Sequence, residues 1–346
     1  MMNKQHLQIL YLGVPSGTSL QRYQALKKNG HSVTLVQHQP EKINFFLRLN
    51  EWCYQHTLPS LKFQIKVINQ TILQTAFKKT WDVLWIDKGN YVSSQTIKRI
   101  KQQFPAIKVI GYSPDYMEMR HNNSLLFIEH SKYYDLFVTT KSYAVQWHQK
   151  IGVKRVLFQG NGYDPCTHRQ HRISSKFKNK FGGAIGFIGT YENDRFSYLQ
   201  YLGNQGLQVV IYGSDWERIQ KTNSNVLIMR RAIEGKNYGK TICSFDINLC
   251  FLRKMNFDLQ TQRSIEIPAC GAFMLGERTQ EHLSLFQEGK EAEFFETKEE
   301  LVDKCKFYLK HESLRKKIAQ AGRMRCIKSK YSYPERMQEI LMIGLQ

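Results

Sequence analysis

The chain has 346 residues, of which 42% are hydrophobic and 23% are charged, a composition typical of a globular protein long enough for two domains. Its formal net charge is +21, and it has no apolar run of about 18 residues, which excludes a spanning helix. Seven cysteines without a CxxC pair indicate reduced thiols, and the N-terminus has no signal-peptide pattern, so we expect a cytoplasmic protein.

The positive charge is unevenly distributed. Residues 1–180 contain 26 Lys and Arg against 9 Asp and Glu, a net charge of +17, whereas residues 181–346 contain 24 against 20, a net charge of +4. A basic excess in one half indicates a polyanionic partner of that half: nucleic acid, an anionic membrane surface or an anionic glycan. Generic basicity of a lysine-rich proteome is the alternative.

The first predicted elements belong to an internal repeat. Residues 9–36, "ILYLGVPSGTSLQRYQALKKNGHSVTLV", overlay residues 185–212, "IGFIGTYENDRFSYLQYLGNQGLQVVIY", without a gap, and Gly13 then falls on Gly189. Each copy has the pattern of a strand, a glycine turn, a helix and a second strand, which opens a Rossmann-like unit. Neither copy has a full GxGxxG, so dinucleotide binding is not indicated. Two copies predict an α/β chain of two Rossmann-like domains that face each other across a cleft.

The segment 41–80 combines aromatic and aliphatic residues with lysines. It contains Phe45, Phe46, Leu49 and Trp52 together with Lys62, Lys66, Lys78 and Lys79. This mixture predicts a region that docks to a membrane surface or to an acceptor. An ordinary helical insertion packed on the first domain fits the pattern equally well.

Apolar segments followed by polar or glycine-containing turns predict the remaining strands. They are residues 82–87, 107–113, 136–140, 154–165, 208–216, 225–230, 245–251 and 272–277. We therefore predict a first domain over 1–170, a basic linker over 171–183 and a second domain over 184–330. The C-terminal helix, 331–346, is a candidate to cross back to the first domain.

An ordered set of motifs resembles a known family. "GFIGTYENDR", "QVVIYGSDW", "QRSIEIPACGAFML", "FQEGKEAEFFETKEELVDK" and "IAQAGRMR" resemble the C-terminal half of CgeB-like (spore maturation protein-like) glycosyltransferases. That family belongs to the GT-B group and is related to the retaining family-four enzymes. The resemblance covers nearly all of 181–340, and over 1–180 "NGHSVTLV", "YSPDYMEMR" and "NGYDP" follow in family order.

The resemblance implies a GT-B fold and a hexosyltransferase activity. The donor would be a UDP- or GDP-linked sugar, and the acceptor a glycan, a lipid-linked molecule or a protein. The implied setting is the synthesis of cell-surface polysaccharide or glycoconjugates, in the cytoplasm or at the inner face of the membrane.

The resemblance also implies donor-binding side chains. Glu266 would hold the ribose, because a carboxylate accepts two hydroxyl hydrogen bonds at once. Asp258 takes the place of an acidic residue that faces the sugar, although relatives have a glutamate there. Arg195 and Arg263 would lie near the diphosphate and stabilise the leaving group. A surface ion pair is the alternative for each arginine, and a solvated helix residue is the alternative for Glu266.

Four backbone positions complete the implied donor site. Gly189 and Thr190 would bring N–H groups to the diphosphate at a helix start, unless they form only a tight turn. Gly213 closes a strand against which the base would stack. Gly271 ends the helix that carries Glu266.

Three residues are implied on the acceptor side. Gly13, at the first strand–helix turn, resembles the glycine that lets the acceptor domain approach the donor sugar. Asp115 ends a predicted strand, where a carboxylate faces the cleft of an α/β sheet and can orient or deprotonate an acceptor hydroxyl. Capping of the following turn is the alternative for Asp115. His121 is the second choice for the same role.

We expect neither a metal nor another cofactor. No DxD motif occurs in the sequence, and helix dipoles and arginines can stabilise the leaving group in its place. A basic, non-catalytic GT-B-like module that binds an anionic glycan, a membrane or nucleic acid is the competing function. No RNP-like or helix-turn-helix pattern supports nucleic acid, and the presence of Glu266 with Arg195 favours an enzyme.

Overall fold

The computed structural model describes residues 6–40, 42–61 and 65–346. The chain divides into two compact units: one runs to Gly160 and includes Tyr333–Gln346, and the other is Asn161–Ser332. Each unit is built on a six-stranded parallel sheet with helices around it.

The first unit alternates strands and helices. Its strands are β1 (Gln8–Gly13), β2 (Ser32–Gln37), β3 (Val83–Asp87), β4 (Lys108–Ser113), β5 (Leu136–Thr139) and β6 (Val156–Phe158). Its helices before residue 160 are α1 (Gly17–Lys28), α2 (Phe45–Gln55), α3 (Lys66–Ala76), α4 (Ser94–Gln103), α5 (Leu125–His130) and α6 (Val145–Lys150). The strand order is β2-β1-β3-β4-β5-β6. All five residues of β3 are buried, as expected for a strand covered on both faces.

The second unit repeats this architecture. Its strands are β7 (Gly183–Ile188), β8 (Val209–Tyr212), β9 (Val226–Ile228), β10 (Phe245–Cys250), β11 (Met274–Glu277) and β12 (Glu293–Phe295). Its helices are α7 (Ser175–Phe181), α8 (Asn193–Asn204), α9 (Lys236–Cys243), α10 (Gln262–Ala269), α11 (Gln280–Leu285), α12 (Lys298–Lys310) and α13 (Glu312–Lys328). The strand order is β12-β11-β10-β7-β8-β9. The segment 171–183, predicted from its composition as a linker, contains α7 and lies within this unit.

The last helix, α14 (Tyr333–Gly344), belongs to the first unit. Its buried side chains Met337 and Ile340 join the core that covers one face of the first sheet, together with Ile9 and Trp85. The Asn29 side chain at the end of α1 donates to the carbonyl of Pro334 over 2.7 Å.

The internal repeat is present in the structure. Helices α1 and α8 are both 12 residues long and occupy the same positions of the two overlaid segments. In each unit the strand before this helix pairs in parallel with the strand after it. The prediction of an α/β chain with two Rossmann-like units is confirmed.

Candidate functional site

The strand order of the second unit places a crevice at one edge of its sheet. Strand β7 lies between β8 and β10, and the chain leaves β7 toward β8 and returns later to β10 on the other side. The carboxyl ends of β7 and β10 therefore form a topological switch point, where open α/β sheets bind ligands. Helices α8 and α10 begin at this edge and direct the positive ends of their dipoles toward it.

Arg195, on α8, connects the two strand ends at the switch point. Its side chain is only 4% exposed. Its Nη1 donates to the carbonyl of Thr190, which follows β7, over 3.0 Å, and its Nε donates to the carbonyl of Leu252, which follows β10, over 3.2 Å. Nη1 also lies 3.4 Å from a carboxylate oxygen of Glu192. The guanidinium is thereby held rigidly in the crevice.

A second arginine approaches the same place from α10. The guanidinium carbons of Arg195 and Arg263 each lie 5.8 Å from the centre of the Phe187 ring. Within the described part of the chain, Arg263 forms no ion pair and its buried Nε has no hydrogen-bond acceptor. Burial, and next the charge of Arg263, lower the pKa of Arg195 to about 10. The structure thus brings the two predicted arginines together, and their mutual repulsion favours an anion beside them.

Two carboxylates partly offset this positive charge. Glu192 lies 3.3 Å from Nε of Arg253 as well as near Arg195. Asp258 accepts a hydrogen bond of 2.8 Å from Asn256 in the loop between β10 and α10, and its charge favours the protonated form of Arg195. Three arginines (Arg195, Arg253 and Arg263) therefore lie at this edge together with the two carboxylates.

Glu266 is buried on α10, with 5% of its surface exposed, which removes the alternative of a solvated helix glutamate. Its Oε2 accepts a hydrogen bond of 2.7 Å from the Tyr238 hydroxyl on α9. Burial and the negative charge of Glu266 raise the pKa of Tyr238, so that this hydroxyl stays protonated.

The other oxygen of Glu266 faces a histidine. Nε2 of His168 lies 3.5 Å from Glu266 Oε1, and Nδ1 of His168 accepts from the backbone N–H of Asp164 over 3.0 Å. Because Nδ1 is an acceptor there, the proton of the neutral imidazole lies on Nε2 and points to Glu266. Each carboxylate oxygen still has a lone pair for a further donor, so Glu266 can hold ligand hydroxyls while its orientation is fixed.

Close packing explains the two glycines that follow β7 and β8: a Cβ on Gly189 would meet the Phe187 ring at 2.6 Å. Gly213 has φ +148°, and a Cβ there would lie 1.9 Å from the carbonyl oxygen of Gly189. Gly189 donates its N–H to the Tyr212 carbonyl and accepts from Nε1 of Trp216, both over 2.8 Å. The backbone of Gly189 is thus already bonded within the unit, and exposed Thr190 is the member of the predicted pair that faces outward.

Helix α10 is fixed at both ends. At its start, Thr261 and Ser264 form a capping box, which satisfies N–H groups of the first turn. Beyond its end, Gly271 adopts φ +67°, the left-handed conformation that ends helices. These contacts set the position of both Arg263 and Glu266.

The acceptor-side residues lie in the first unit. Gly13 is the last residue of β1. Asp115 follows β4, and its carboxylate pairs at 2.5 Å with Lys88, which follows β3. His121 lies apart from this pair, in the wall of a pocket beside α2.

Phe187, His168 and Tyr238 have contacts at the site that the sequence did not predict. Phe187 has the pattern of an ordinary buried strand residue. His168 follows the "NGYDP" turn, and Tyr238 lies on the eight-residue helix α9. Neither has a sequence signal that links it to Glu266.

The described residues contain neither a metal-binding group of side chains nor a membrane-spanning helix. Over residues 6–40, 42–61 and 65–346, no three His, Cys, Asp or Glu side chains form a group that could hold a metal ion. In the same ranges, no helix is long and apolar enough to cross a membrane.

A family model matches part of the chain, mostly within the second unit. Residues 197–342, about two fifths of the chain, match a family model described as "Glycosyl transferase-like". No curated protein matches the chain in sequence.

Solved structures resemble the whole chain. A glycosyltransferase from Rickettsia africae has 12% identity and a TM-score of 0.64 over 98% of both chains. Anabaena HepE in complex with UDP-glucose has 12% identity and a TM-score of 0.63, over 97% of this chain and 100% of that one. Sucrose-phosphate synthase from Thermosynechococcus elongatus has 10% identity and a TM-score of 0.64 over 98% of both chains. At these identities the similarity concerns the fold, and it confirms the prediction of a GT-B glycosyltransferase fold.

Proposed function

We propose that this protein is a glycosyltransferase that moves a sugar from a UDP- or GDP-linked donor to a glycan, lipid-linked or protein acceptor. The observation that carries the proposal is the pair Arg195 and Arg263 at the switch point of the second sheet. The match of 197–342 to a glycosyl transferase-like family and the GT-B fold support it. The UDP-glucose complex of HepE supports a nucleotide-sugar as the donor.

The diphosphate of the donor lies, in this proposal, beside Arg195 and Arg263 and near Thr190. Charge-assisted hydrogen bonds from guanidinium groups to phosphate are short and strong. Arg195 is already fixed by two carbonyls, so its orientation costs little reorganisation when negative charge develops on the leaving group. The negative charge of the diphosphate also offsets the repulsion between the two arginines. This arrangement supplies leaving-group stabilisation without a metal.

The ribose is assigned to Glu266. Tyr238 and His168 hold the carboxylate from two sides, and the remaining lone pairs accept the ribose hydroxyls. Gly213, which allows the close approach of the ends of β7 and β8, is assigned to the wall against which the base stacks.

Asp258 and Asp115 are assigned to the reacting sugars. Asp258 lies eight residues before Glu266 and acts electrostatically on Arg195, so we place the transferred sugar next to it. Asp115, oriented by Lys88, is the group that would orient or deprotonate the acceptor hydroxyl. Retention of configuration follows in this proposal from the likeness of Asp258 and Glu266 to the acidic pair of retaining GT-B enzymes. The membership of the CgeB-like subfamily is part of the same proposal.

We further propose peripheral contact with the inner face of an anionic membrane, where cell-surface polysaccharide or glycoconjugates are made. Helix α2 exposes an apolar face, and its members are Phe45 (73% exposed), Phe46 (70%), Leu49 (46%) and Trp52 (50%). The spacing of this α2 apolar face matches one side of a helix. Lys66, Lys78 and Lys79 are exposed nearby in sequence, whereas Lys62 lies outside the described residues. Aromatic insertion combined with basic attraction is how interfacial helices bind anionic lipid.

Titration of the full chain with UDP and GDP tests the donor assignment. Binding should raise the melting temperature by mass action, equally with and without EDTA, and one nucleotide-sugar should be hydrolysed slowly by water. A shift that EDTA abolishes would contradict metal independence. Binding of duplex DNA without nucleotide binding or hydrolysis would instead support a basic binding module.

A further inference from the structure

A pocket of about 140 Å³ lies within the first unit, beside α2. Its walls come from α2, from the turn after β3 and from the segment that leads into α5. The polar side chains that matter here are Glu51, Tyr54, Asn90, Tyr91, Arg120 and His121. A cavity of roughly 150 Å³ holds one benzene ring, so this pocket has the size of a single six-membered ring.

A carboxylate is fixed in the wall of the pocket. Glu51 Oε1 accepts a hydrogen bond of 2.6 Å from the Tyr91 hydroxyl. Burial and the hydrogen bond to Glu51 raise the pKa of Tyr91, so the hydroxyl keeps its proton and donates to the carboxylate. Among the described residues, Oε2 of Glu51 accepts no hydrogen bond and is therefore available to a ligand.

A guanidinium lines the same pocket. The Arg120 side chain lies over the Tyr54 ring, 5.1 Å from its centre, and its Nη1 donates to the Tyr54 carbonyl over 3.0 Å. Nε and Nη2 of Arg120 form no hydrogen bond within the described chain. The buried Oδ1 of Asn90 likewise has no donor among the described residues. The pocket thus offers a carboxylate and an amide oxygen as acceptors and a guanidinium as donor, around a space of one ring.

We infer that this pocket binds one pyranose ring of the acceptor glycan, an inference that rests on the proposed function. A sugar hydroxyl is both donor and acceptor, so a polyhydroxylated ring can satisfy Glu51, Asn90 and Arg120 together. An apolar ring would leave these groups desolvated without partners, which is unfavourable. A phosphate would meet the negative charge of Glu51 at close range.

Helix α2 connects this pocket with the membrane contact proposed above. Leu47, Asn50, Glu51 and Tyr54 line the pocket, and helical periodicity places them on the side opposite the α2 apolar face. A glycan attached to a lipid in the membrane surface would therefore meet the pocket one helix diameter from the lipid boundary. His121, predicted from the sequence as an acceptor-side residue, lies in the pocket wall.

Saturation-transfer NMR with methyl glycosides of common hexoses and N-acetylhexosamines tests the inference on the full chain. At least one glycoside should bind, and Glu51→Gln or Arg120→Ala should weaken that binding about tenfold or more. Arg99→Ala is a matched control, because Arg99 also lies over an aromatic ring, that of Phe77, at 5.8 Å. Glu299→Gln is a second control, because Glu299 accepts from Tyr201 over 3.2 Å. Both controls should bind the glycoside like the wild type.

UDP and GDP titrations of the same variants separate this inference from the proposed function. Unchanged nucleotide binding in Glu51→Gln, with loss of glycoside binding, is the expected result. Because Glu51 lies in the first unit, a circular dichroism spectrum and melting temperature like those of the wild type show that the variant is folded. The inference is overturned if no glycoside binds, or if Glu51→Gln and Arg120→Ala bind it like the wild type. Glycoside binding that depends on Glu51, in a protein that binds no nucleotide, would retain the pocket and refute the donor assignment.

Discussion

Replacing Arg263 by methionine should have opposite effects on stability and on nucleotide binding. Methionine keeps an unbranched apolar stem against Phe187 but removes the charge. If Arg263 is held next to Arg195 for an anionic ligand, the ligand-free protein should gain stability when this charge is removed. The same change should weaken the binding of UDP or GDP.

The structure bounds the size of the first effect. Both guanidinium carbons lie 5.8 Å from the same ring centre, so they are at most about 11.6 Å apart. At an effective dielectric constant of about 20, two unit charges at this largest distance repel by about 1.4 kcal/mol, and closer charges repel more strongly. Solvent and salt screen the half-buried Arg263, so we expect a net gain on the order of 1 kcal/mol. In a unit of this size, that gain corresponds to a rise of about 2–4 °C in melting temperature.

The loss in binding should be larger. A hydrogen bond to a charged group contributes about 1.5–3 kcal/mol, which corresponds to a Kd increase of roughly 10- to 150-fold. Thermal unfolding of the free protein and calorimetric titration with UDP and GDP measure the two effects. Arg325→Met is the control: Arg325 donates to the Leu285 carbonyl over 2.9 Å, so its loss should lower stability slightly and leave Kd unchanged. An Arg263→Met variant that is less stable than the wild type but binds nucleotide normally would refute the reasoning.

Three further predictions concern the ribose, the histidines and the membrane. Glu266→Ala should weaken UDP or GDP binding by roughly 1–3 kcal/mol, and a 2′,3′-dideoxy nucleotide should show no such loss in calorimetry; equal losses for both would argue against ribose contact. Burial lowers the pKa of His148 to about 3 and of His282 to about 4. In the unfolded chain histidine pKa values are near 6.5, so between that value and the folded pKa the unfolded chain binds more protons than the folded one. The free energy of unfolding is therefore unaffected by these histidines above about pH 6.5 and is lower by roughly 2 kcal/mol per histidine at pH 5. Urea unfolding at pH 7 and pH 5 should show this loss of stability, and equal midpoints would contradict it. Replacing the four residues of the α2 apolar face by serine should reduce sedimentation with anionic vesicles without changing UDP or GDP affinity, whereas unchanged sedimentation would assign this face to another partner.

Much of the fold could be predicted because its signals are local. The gapless overlay of 9–36 on 185–212 anticipated two helices of equal length, α1 and α8, at matching positions. Continuous apolar segments predicted β3 and β10 because parallel strands are covered on both faces. The three-residue strand β12 is too short to give such a signal. The basic, polar composition of 171–183 indicates contact with solvent. Composition alone does not indicate which unit this segment packs against.

The chemistry of the site depended on contacts between distant residues. Glu266 and Tyr238 are 28 residues apart in sequence, and His168 reaches Glu266 from a turn at the start of the second unit. No periodicity in a single sequence links such residues. The family resemblance identified Glu266, Arg195 and Arg263 as candidate donor-binding residues. It did not explain what fixes their side chains. The carbonyls of Thr190 and Leu252 hold Arg195. Tyr238 and His168 hold Glu266.

The internal repeat allows the charges at the switch points of the two units to be compared. In the first unit, the corresponding switch point lies between β1 and β3. There Arg22 of α1 is neutralised by Asp87 at the end of β3, with Nη2 at 2.7 Å from the carboxylate, which also accepts from Tyr11 over 2.7 Å. Desolvation raises the pKa of Asp87, but the charge of Arg22 and its hydrogen bonds outweigh that effect and lower it.

The local charge at the two switch points therefore does not follow the net charge of the two halves of the chain. Residues 1–180 have a net charge of +17, yet the buried Arg22 at their switch point is ion-paired with Asp87. Residues 181–346 have a net charge of only +4, yet Arg195 is joined there by Arg263, which has no ion-pair partner among the described residues. A nucleotide diphosphate responds to charges within a few ångströms in a desolvated crevice, because exposed charges beyond a Debye length of about 8 Å are largely screened at physiological salt. In the proposed function, the basic surface of the first half serves a larger polyanion such as an anionic membrane. Exchanging the two roles would require removing Asp87 from the first switch point and supplying a carboxylate to Arg263 in the second.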